Sequence, residues 1–122
     1  MQLSEDQTPG SYLVKQYVPG EIRINDQCYI QSIIISPHEI FPWDIDTYES
    51  IENNSLKAIL NLNPDIVILG TGATQHFLNP KITAVLLERK IGVEVMDTHA
   101  ACRTYNLLAS EGRNVVAGLV IR

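Results

Sequence analysis

Residues 65–72 of this 122-residue chain read Asp-Ile-Val-Ile-Leu-Gly-Thr-Gly. Five residues, mostly branched and apolar, run directly into two glycines that a single threonine separates. A short continuous apolar run bounded by turn residues is typical of a strand that is buried on both faces. Glycine, which has no Cβ, lets the backbone turn tightly or approach a ligand closely. The stretch therefore predicts a central strand over 65–69 whose carboxyl end opens a loop at a candidate site.

The chain after this strand alternates helical and extended patterns. Asn79-Pro80 is a good helix start, since Asn caps an N-terminus and Pro fits the first helical position. We expect Gly92 to cap the carboxyl end of that helix. Asp97 or Thr98 is expected to cap a second helix, which Gly112 ends. The order β, α, β, α, β favours a layered α/β fold with parallel strand pairing. The elements expected here are a strand at 65–69, a loop at 70–79, a helix from 80, a strand at 93–96, a helix at about 99–111 and a strand at 115–121.

The first third of the chain has the pattern of an antiparallel meander. Runs of β-forming residues alternate with turn signals such as Pro19-Gly20. Residues 37–54 are irregular, and we expect Trp43 and its apolar neighbours to pin this loop to the body. Ser55 is expected to cap a short helix. The elements expected here are a frayed terminus at 1–11, strands at 12–18, 21–25 and 28–36, and a helix at 56–62.

The length indicates one domain, 1–122, and the composition argues against several classes of protein. The net charge of −5, without any run of Lys and Arg, argues against a nucleic-acid binder. No apolar stretch approaches ~18 residues, so we expect no membrane span. Residues 1–10 fit neither a signal peptide nor a transit peptide. The two cysteines, Cys28 and Cys102, do not form a disulfide framework, which favours reduced thiols in a cytoplasmic protein.

Gly70-Thr71-Gly72 invites comparison with a dinucleotide-binding turn. Glycines after a strand can present backbone N–H groups to a pyrophosphate, and Asp97 would then bind a ribose hydroxyl. The third glycine of that fingerprint is missing, because position 75 is Gln75. The next helix begins only at Pro80, so no helix N-terminus lies at the glycines. The other interpretation is a tight turn with close backbone packing.

The start of the second helix carries the other group of candidate residues. Residues 101, 104, 105 and 108 share one helical face, which we expect to be the core side. His99, Arg103 and Asn106 share the opposite, solvated face. Cys102 lies between the faces, where a cation or helix N-terminus would lower its pKa and make it a nucleophile. The alternative for Cys102 is a small buried thiol that only packs.

Two further features concern metals and partners. The histidines and cysteines lack the spacing of a metal site, so no metal or other cofactor is expected. Gln75-His76-Phe77-Leu78 gives the loop after the glycines an apolar tip. An exposed Phe77 would anchor a partner. The alternative is that the tip folds back onto the core.

The second half of the chain resembles a known family, domain of unknown function 498, also called the Mth-938-like proteins. The motifs that carry the resemblance are Gly70-Thr71-Gly72, the segment 92–98, the segment 101–108 and Glu111-Gly112-Arg113. Looser matches at 17–20 and Ser36-Pro37 extend it over most of the chain. The resemblance implies a three-layer β+β/α fold with a central mixed sheet, which is compatible with the expected meander and α/β half. It also implies a link to a mitochondrial subfamily that assists assembly of respiratory complex I. The family supplies no established catalytic residues.

The sequence therefore leads to two main hypotheses on one crevice, formed by 70–79 and 97–106. The first is a non-catalytic binding or assembly-factor-like module with a protein partner, for which complex I assembly is an analogy. The second is an enzyme or a domain that binds a small anionic ligand through backbone N–H groups. Thiol chemistry at Cys102 is a third, weaker alternative. No catalytic residue is assigned, and the candidate binding residues are Gly70, Thr71, Gly72, Gln75, Phe77, Thr98, Cys102, Arg103 and Asn106.

Overall fold

The structure is a computed structural model that describes residues 11–122. Nearly all of the predicted frayed terminus lies outside the described residues. Two 3₁₀ helices, Tyr48–Ser50 and Asn53–Leu56, precede the first α-helix. The strands and α-helices are β1 (Val14–Val18), β2 (Glu21–Ile24), β3 (Gln27–Tyr29), β4 (Ile33–Ile35), β5 (Ile40–Pro42), α1 (Lys57–Leu60), β6 (Ile66–Gly70), α2 (Pro80–Glu88), β7 (Gly92–Met96), α3 (Thr98–Ser110) and β8 (Val115–Leu119).

The strands form two sheets, and the fold is of the predicted α/β class. Strands β1, β2 and β3 make a three-stranded antiparallel sheet, which confirms the N-terminal meander. The second sheet is mixed and has the order β5-β4-β8-β6-β7. In it, β6 pairs in parallel with both β7 and β8, as the alternating pattern predicts. Strand β4 joins antiparallel to β8 and to β5.

Two hydrophobic cores cover the two faces of the five-stranded sheet. One face packs against α3 and the three-stranded sheet, through buried residues such as Ile22, Ile68 and Tyr105. The other face packs against α1, α2 and the loop around Trp43, which is buried as predicted. Strand β6 contributes to both cores because its side chains alternate between the two faces. The opening apolar run is therefore a strand buried on both faces, as predicted.

The predicted strand at 28–36 is wrong. The chain forms β3 and β4 there, and these short strands belong to different sheets. Ile30, between them, is 81% exposed. Ser32 is buried where the chain crosses over, and its Oγ accepts a hydrogen bond from the Ile121 N–H at 3.0 Å. A run of β-forming residues indicates extended backbone, whereas the partner strand depends on distant parts of the chain.

Helix ends agree with the predictions at four of six positions. Asn79 and Asp97 cap α2 and α3 through their side chains, α2 begins at Pro80, and Gly112 follows α3 with a φ of 77°. The predicted role of Gly92 is wrong, because Lys90 takes the left-handed conformation after α2 and Gly92 begins β7. Ser55 does not cap the short helix, which spans only Lys57–Leu60. Its Oγ accepts from the Glu52 N–H at 3.2 Å inside the preceding 3₁₀ segment.

Candidate functional site

The carboxyl ends of β6, β7 and β8 meet at a buried junction. We define the strand-exit junction as Gly70, Thr71, Gly72, Thr98 and the segment 120–122. The Thr98 hydroxyl donates to the Val120 carbonyl at 2.7 Å and accepts from the Gly72 N–H at 2.8 Å. The Thr98 N–H donates in turn to the Gly72 carbonyl at 2.8 Å. Thr98 is fully buried, so these bonds satisfy polar groups that water does not reach.

Both glycines of the junction are required by close packing. A Cβ on Gly70 would lie 2.8 Å from Thr98 Oγ1 and 3.0 Å from the Thr98 Cα, so α3 approaches β6 directly. Gly72 has a φ of 103°, and a Cβ there would overlap the Arg122 carbonyl oxygen. The interpretation as a tight turn with close backbone packing accounts for both residues.

The backbone amides of the junction are already engaged within the protein. The Thr71 N–H donates to the Met96 carbonyl at 2.9 Å, and the Gly72 N–H is held by Thr98 as described above. At the start of α3 the Ala100 N–H donates to Asp97 Oδ1 at 2.9 Å. A pyrophosphate or other anion would need these amides to be unpaired. The arrangement therefore gives little support to the dinucleotide or anion interpretation.

Cys102 is a buried thiol rather than an activated one. It is 4% exposed, and burial raises its pKa from 9.0 to about 12, with the nearby Asp97 charge acting in the same direction. Arg103 lowers the pKa but does not offset the burial. His99, three residues before Cys102 on α3, is exposed, as predicted for the solvated face. Of the two interpretations of Cys102, the small buried thiol agrees with the structure and the nucleophile with a lowered pKa does not, because the side chain lies in the core and not at an open helix end.

Asn106 and Arg103 lie in different environments, although the sequence places them on one solvated face. Asn106 is half-buried, and its amide binds both backbone groups of Val14, as acceptor at 2.9 Å and as donor at 2.7 Å. Asn106 thus attaches β1 to α3, and the prediction that it is solvated is wrong. Arg103 is exposed, as predicted.

Phe77 lies at the tip of an anchored loop. We define the Phe77 loop as residues 75–78. The His76 ring stacks on Tyr48 with ring centroids 3.8 Å apart, and the backbone N–H of His76 donates to Thr71 Oγ1 at 3.2 Å. Leu78 is half-buried against the α2-side core, the hydrophobic core between the five-stranded sheet and α2. Phe77, between these two anchors, is nevertheless 94% exposed. The alternative that the whole tip folds back onto the core is therefore wrong for Phe77.

A groove of about 310 Å³ lies beside the Phe77 loop. Its walls come from the loop itself, from the first turn of α2 and from β7. Sequence reasoning identified the loop but missed the contribution of β7, since the proximity of that strand depends on the parallel pairing. We call it the Phe77 groove; the residues that line it are Gln75, His76, Phe77, Leu78, Pro80, Thr83 and Val95.

A second groove of about 300 Å³ lies between the turn after β4 and the end of α3. It brings together Ser36-Pro37 and Gly112-Arg113, two of the motifs in the family resemblance. The polar side chains at its edge, those of His38, Glu39 and Arg113, are exposed. Over residues 11–122 no group of three or more His, Cys, Asp and Glu side chains is arranged to hold a metal ion.

The architecture is that of the Mth938-like domains. A crystal structure of a protein from Bordetella parapertussis superposes with a TM-score of 0.86 at 35% identity, covering 92% of this chain and 97% of that one. A solution structure of a Mth938-like domain from Bordetella pertussis gives a TM-score of 0.83 at 29% identity, covering 99% of this chain and 92% of that one. The chain belongs to the family described as Protein of unknown function (DUF498/DUF598), which matches residues 14–120.

Two relatives carry names that bear on function. A protein of Francisella tularensis, named 13 kDa major membrane protein, is 35% identical over 94% of this chain and 95% of its own length. NADH dehydrogenase (ubiquinone) 1 alpha subcomplex assembly factor 3 of Danio rerio is 33% identical over 88% of this chain. The match spans 63% of that assembly factor's length. Within the described part of this chain, no helix is long and apolar enough to cross a membrane.

Proposed function

We propose that this protein is a non-catalytic binding module that holds a protein partner through the Phe77 loop and the adjoining groove. The observation that carries the proposal is the 94% exposure of Phe77 on a loop whose neighbouring residues are fixed. A large aromatic side chain that is anchored yet solvent-exposed is a typical centre of a protein interface. The cytoplasmic location predicted from the sequence is part of this proposal.

The names of the relatives support the same class of function. Several animal relatives are named as assembly factors of NADH dehydrogenase, and these names support a function in binding other proteins. A role in assembly of a respiratory complex is, for this chain, an analogy with those relatives. The use of the same region by an enzyme or for a small anionic ligand has less support, because the junction amides and the Thr98 hydroxyl have partners inside the protein.

The proposal is tested by affinity capture from a native lysate with the purified wild-type chain and the Phe77→Ala variant. Burial of one phenylalanine contributes about 2 kcal/mol, so we expect at least about tenfold less partner with the variant. Ile30→Ala is the matched control, because Ile30 is 81% exposed and lies outside the Phe77 loop and groove. Equal capture by wild type and Phe77→Ala, or equal losses in both variants, would contradict the proposal.

A further inference from the structure

The two edges of the five-stranded sheet are built differently. Strand β5 at one edge has only three residues and ends in Pro42, which lacks an N–H donor. Strand β7 at the other edge has five residues in unbroken register with β6 and contains no proline. Natural sheets block exposed edges with short strands, prolines, bulges or charges, because an open edge pairs with other chains. By these criteria β5 is protected, whereas the one protective feature of β7 is a single charged residue, Glu94.

The outward backbone groups of β7 are identified by its bonds to β6. The Gly92 N–H donates to the Asp65 carbonyl at 3.0 Å, and the Met96 carbonyl accepts from the Thr71 N–H at 2.9 Å. In a parallel pair the bonding direction alternates from residue to residue along the strand. The backbone N–H and C=O groups of Gly92, Glu94 and Met96 therefore point toward β6. The N–H and C=O groups of Val93 and Val95 therefore point away from the sheet. Among residues 11–122, no strand pairs with them.

The same strand places an apolar wall and a charge on opposite faces. Val93 and Val95 lie on the α2 side, where Val95 forms part of the Phe77 groove. Glu94 is on the other face of the sheet and is exposed. A strand added to this edge would alternate in the same way. Every second side chain of the added strand would lie on the α2 side, where the one beside Val95 would reach the Phe77 groove. The side chain opposite Glu94 would meet a carboxylate.

The charge of Glu94 argues against a second copy of this chain as the occupant. In the antiparallel self-pairing that uses both valines, Val93 of each copy would bond with Val95 of the other. Glu94 would then lie directly opposite Glu94, and like charges in that position are destabilising. The net charge of −5 on each copy adds to the repulsion. A basic side chain at that position would instead be attracted.

We propose that β7 accepts an extended segment of another protein as an added strand. The segment has a Lys or Arg opposite Glu94, flanked by apolar residues of which one enters the Phe77 groove. Backbone hydrogen bonds to Val93 and Val95 supply sequence-independent affinity, and the alternating side chains supply specificity. This inference rests on the proposed function, because the added strand is the form in which a protein partner would engage the Phe77 loop.

The first test selects binders from a displayed library of random short peptides with the full chain as bait. We expect enrichment of peptides with a basic residue between apolar residues at alternate positions. With the Glu94→Lys variant as bait the preference changes to an acidic residue at that position. Glu111→Lys, an exposed charge reversal at the far end of α3, is the matched control and keeps the preference for basic peptides. No enrichment, or a preference that Glu94→Lys does not change, would overturn the proposal.

The second test follows amide hydrogen exchange at β7 with an enriched peptide. The Val93 and Val95 amides should exchange freely in the chain alone and become protected when the peptide is added. Val95→Pro, which removes one outward donor, should weaken peptide binding by about tenfold. Protection in the absence of peptide overturns the proposal. If that protection depends on protein concentration the occupant is a second copy, and otherwise it is a segment of the chain itself.

The two proposals fail in different ways. A lysate partner that depends on Phe77 but is captured equally well by Val95→Pro leaves the proposed function intact and overturns strand addition. If peptides protect the β7 amides but Phe77→Ala does not reduce capture from the lysate, strand addition stands and the proposed function is overturned. Circular dichroism on each variant establishes that it is folded, and Glu94→Lys tests the edge if Val95→Pro does not fold.

Discussion

The strand-exit junction and the Phe77 loop are neighbours in sequence, yet their side chains have opposite environments. At the junction, Gly72 and Thr98 have hydrogen-bond partners within the protein, and a single added carbon on Gly72 would overlap the Arg122 carbonyl. A few residues further along the chain, Phe77 is almost fully exposed. Thr71 connects the two regions, because its hydroxyl accepts from the His76 N–H.

This difference assigns a role in stability to the junction and leaves the loop tip available for the binding that we propose. Binding residues are often found on loops that a rigid scaffold positions. Here the glycine motif, which in sequence resembles a ligand-binding turn, belongs to the scaffold. The residue with the strongest case for contact with a partner is the aromatic one beyond it. The comparison predicts large effects on stability from changes at the junction and small effects from changes at the loop tip.

The largest effect is expected for Gly72→Ala. The new Cβ would overlap the Arg122 carbonyl oxygen and would also occupy a backbone conformation that L-residues disfavour. We expect the free energy of unfolding to fall by about 3 kcal/mol or more, measured by urea denaturation. Gly20→Ala is the control, since Gly20 has a φ of 94° with no atom within 4 Å of the added Cβ. It should cost about 1–2 kcal/mol, and equal losses would show that the junction is not tightly packed.

The next largest effect is expected for Thr98→Val, which keeps the shape of the side chain and removes its hydroxyl. The buried Gly72 N–H and Val120 carbonyl would each lose a partner, at a cost of about 2 kcal/mol. Thr83→Val removes an exposed hydroxyl bonded to the Pro80 carbonyl and should change stability by less than about 0.5 kcal/mol. Thermal unfolding of both variants measures the difference. A small loss of stability for Thr98→Val would contradict this prediction, because it would mean that water replaces the hydroxyl as hydrogen-bond partner at the junction.

A smaller effect, visible only in alkali, is expected at Cys102. Burial raises the pKa of its thiol from 9.0 to about 12, so the unfolded thiol ionises first as the pH rises. The stabilisation from the neutral buried thiol is complete below pH 9.0 and is lost on the way to the folded pKa. From about pH 8 to about pH 10 this should lower the free energy of unfolding by about 1 kcal/mol relative to Cys102→Ala.

Alkylation provides an independent check on Cys102. In the folded protein a thiol reagent should modify the exposed Cys28 and leave Cys102 unmodified, and in denaturant both should react. Mass spectrometry of the digested protein assigns the modified site. Rapid modification of native Cys102 near neutral pH would restore the thiol-chemistry hypothesis.

The smallest effect on stability is expected for Phe77→Ala. Because the ring is 94% exposed, its removal should change the free energy of unfolding by less than about 0.5 kcal/mol. Leu78→Ala, one residue further along, should cost about 1 kcal/mol or more, since Leu78 packs against the α2-side core. Denaturation curves for the two variants measure the contrast. A large loss for Phe77→Ala would mean that the ring is part of the fold rather than an anchor for a partner.

Predictions from the sequence succeed where the signal is local and fail where a distant contact decides. The caps at Asn79 and Asp97 depend on residues two and three positions ahead, and both are present in the structure. The prediction of one strand at 28–36 fails because the two halves of this segment belong to different sheets. Helical periodicity predicts that Asn106 is solvated, but its hydrogen-bond partner Val14 is 92 residues away. The pKa of Cys102 likewise depends on burial by elements that the helix pattern does not reveal.

The sequence by itself determined the alternation of strands and helices after residue 65, the buried central strand β6 and the family resemblance. These depend on side-chain periodicity, turn residues and motifs that are present in the chain itself. The tertiary structure alone decided that Gly70, Gly72 and Thr98 meet in a closed junction. It also decided that Phe77 stands clear of this junction beside β7, an edge strand of the five-stranded sheet. The physical reason is that burial and hydrogen bonding are settled by which elements pack together, and that information is spread over the whole chain.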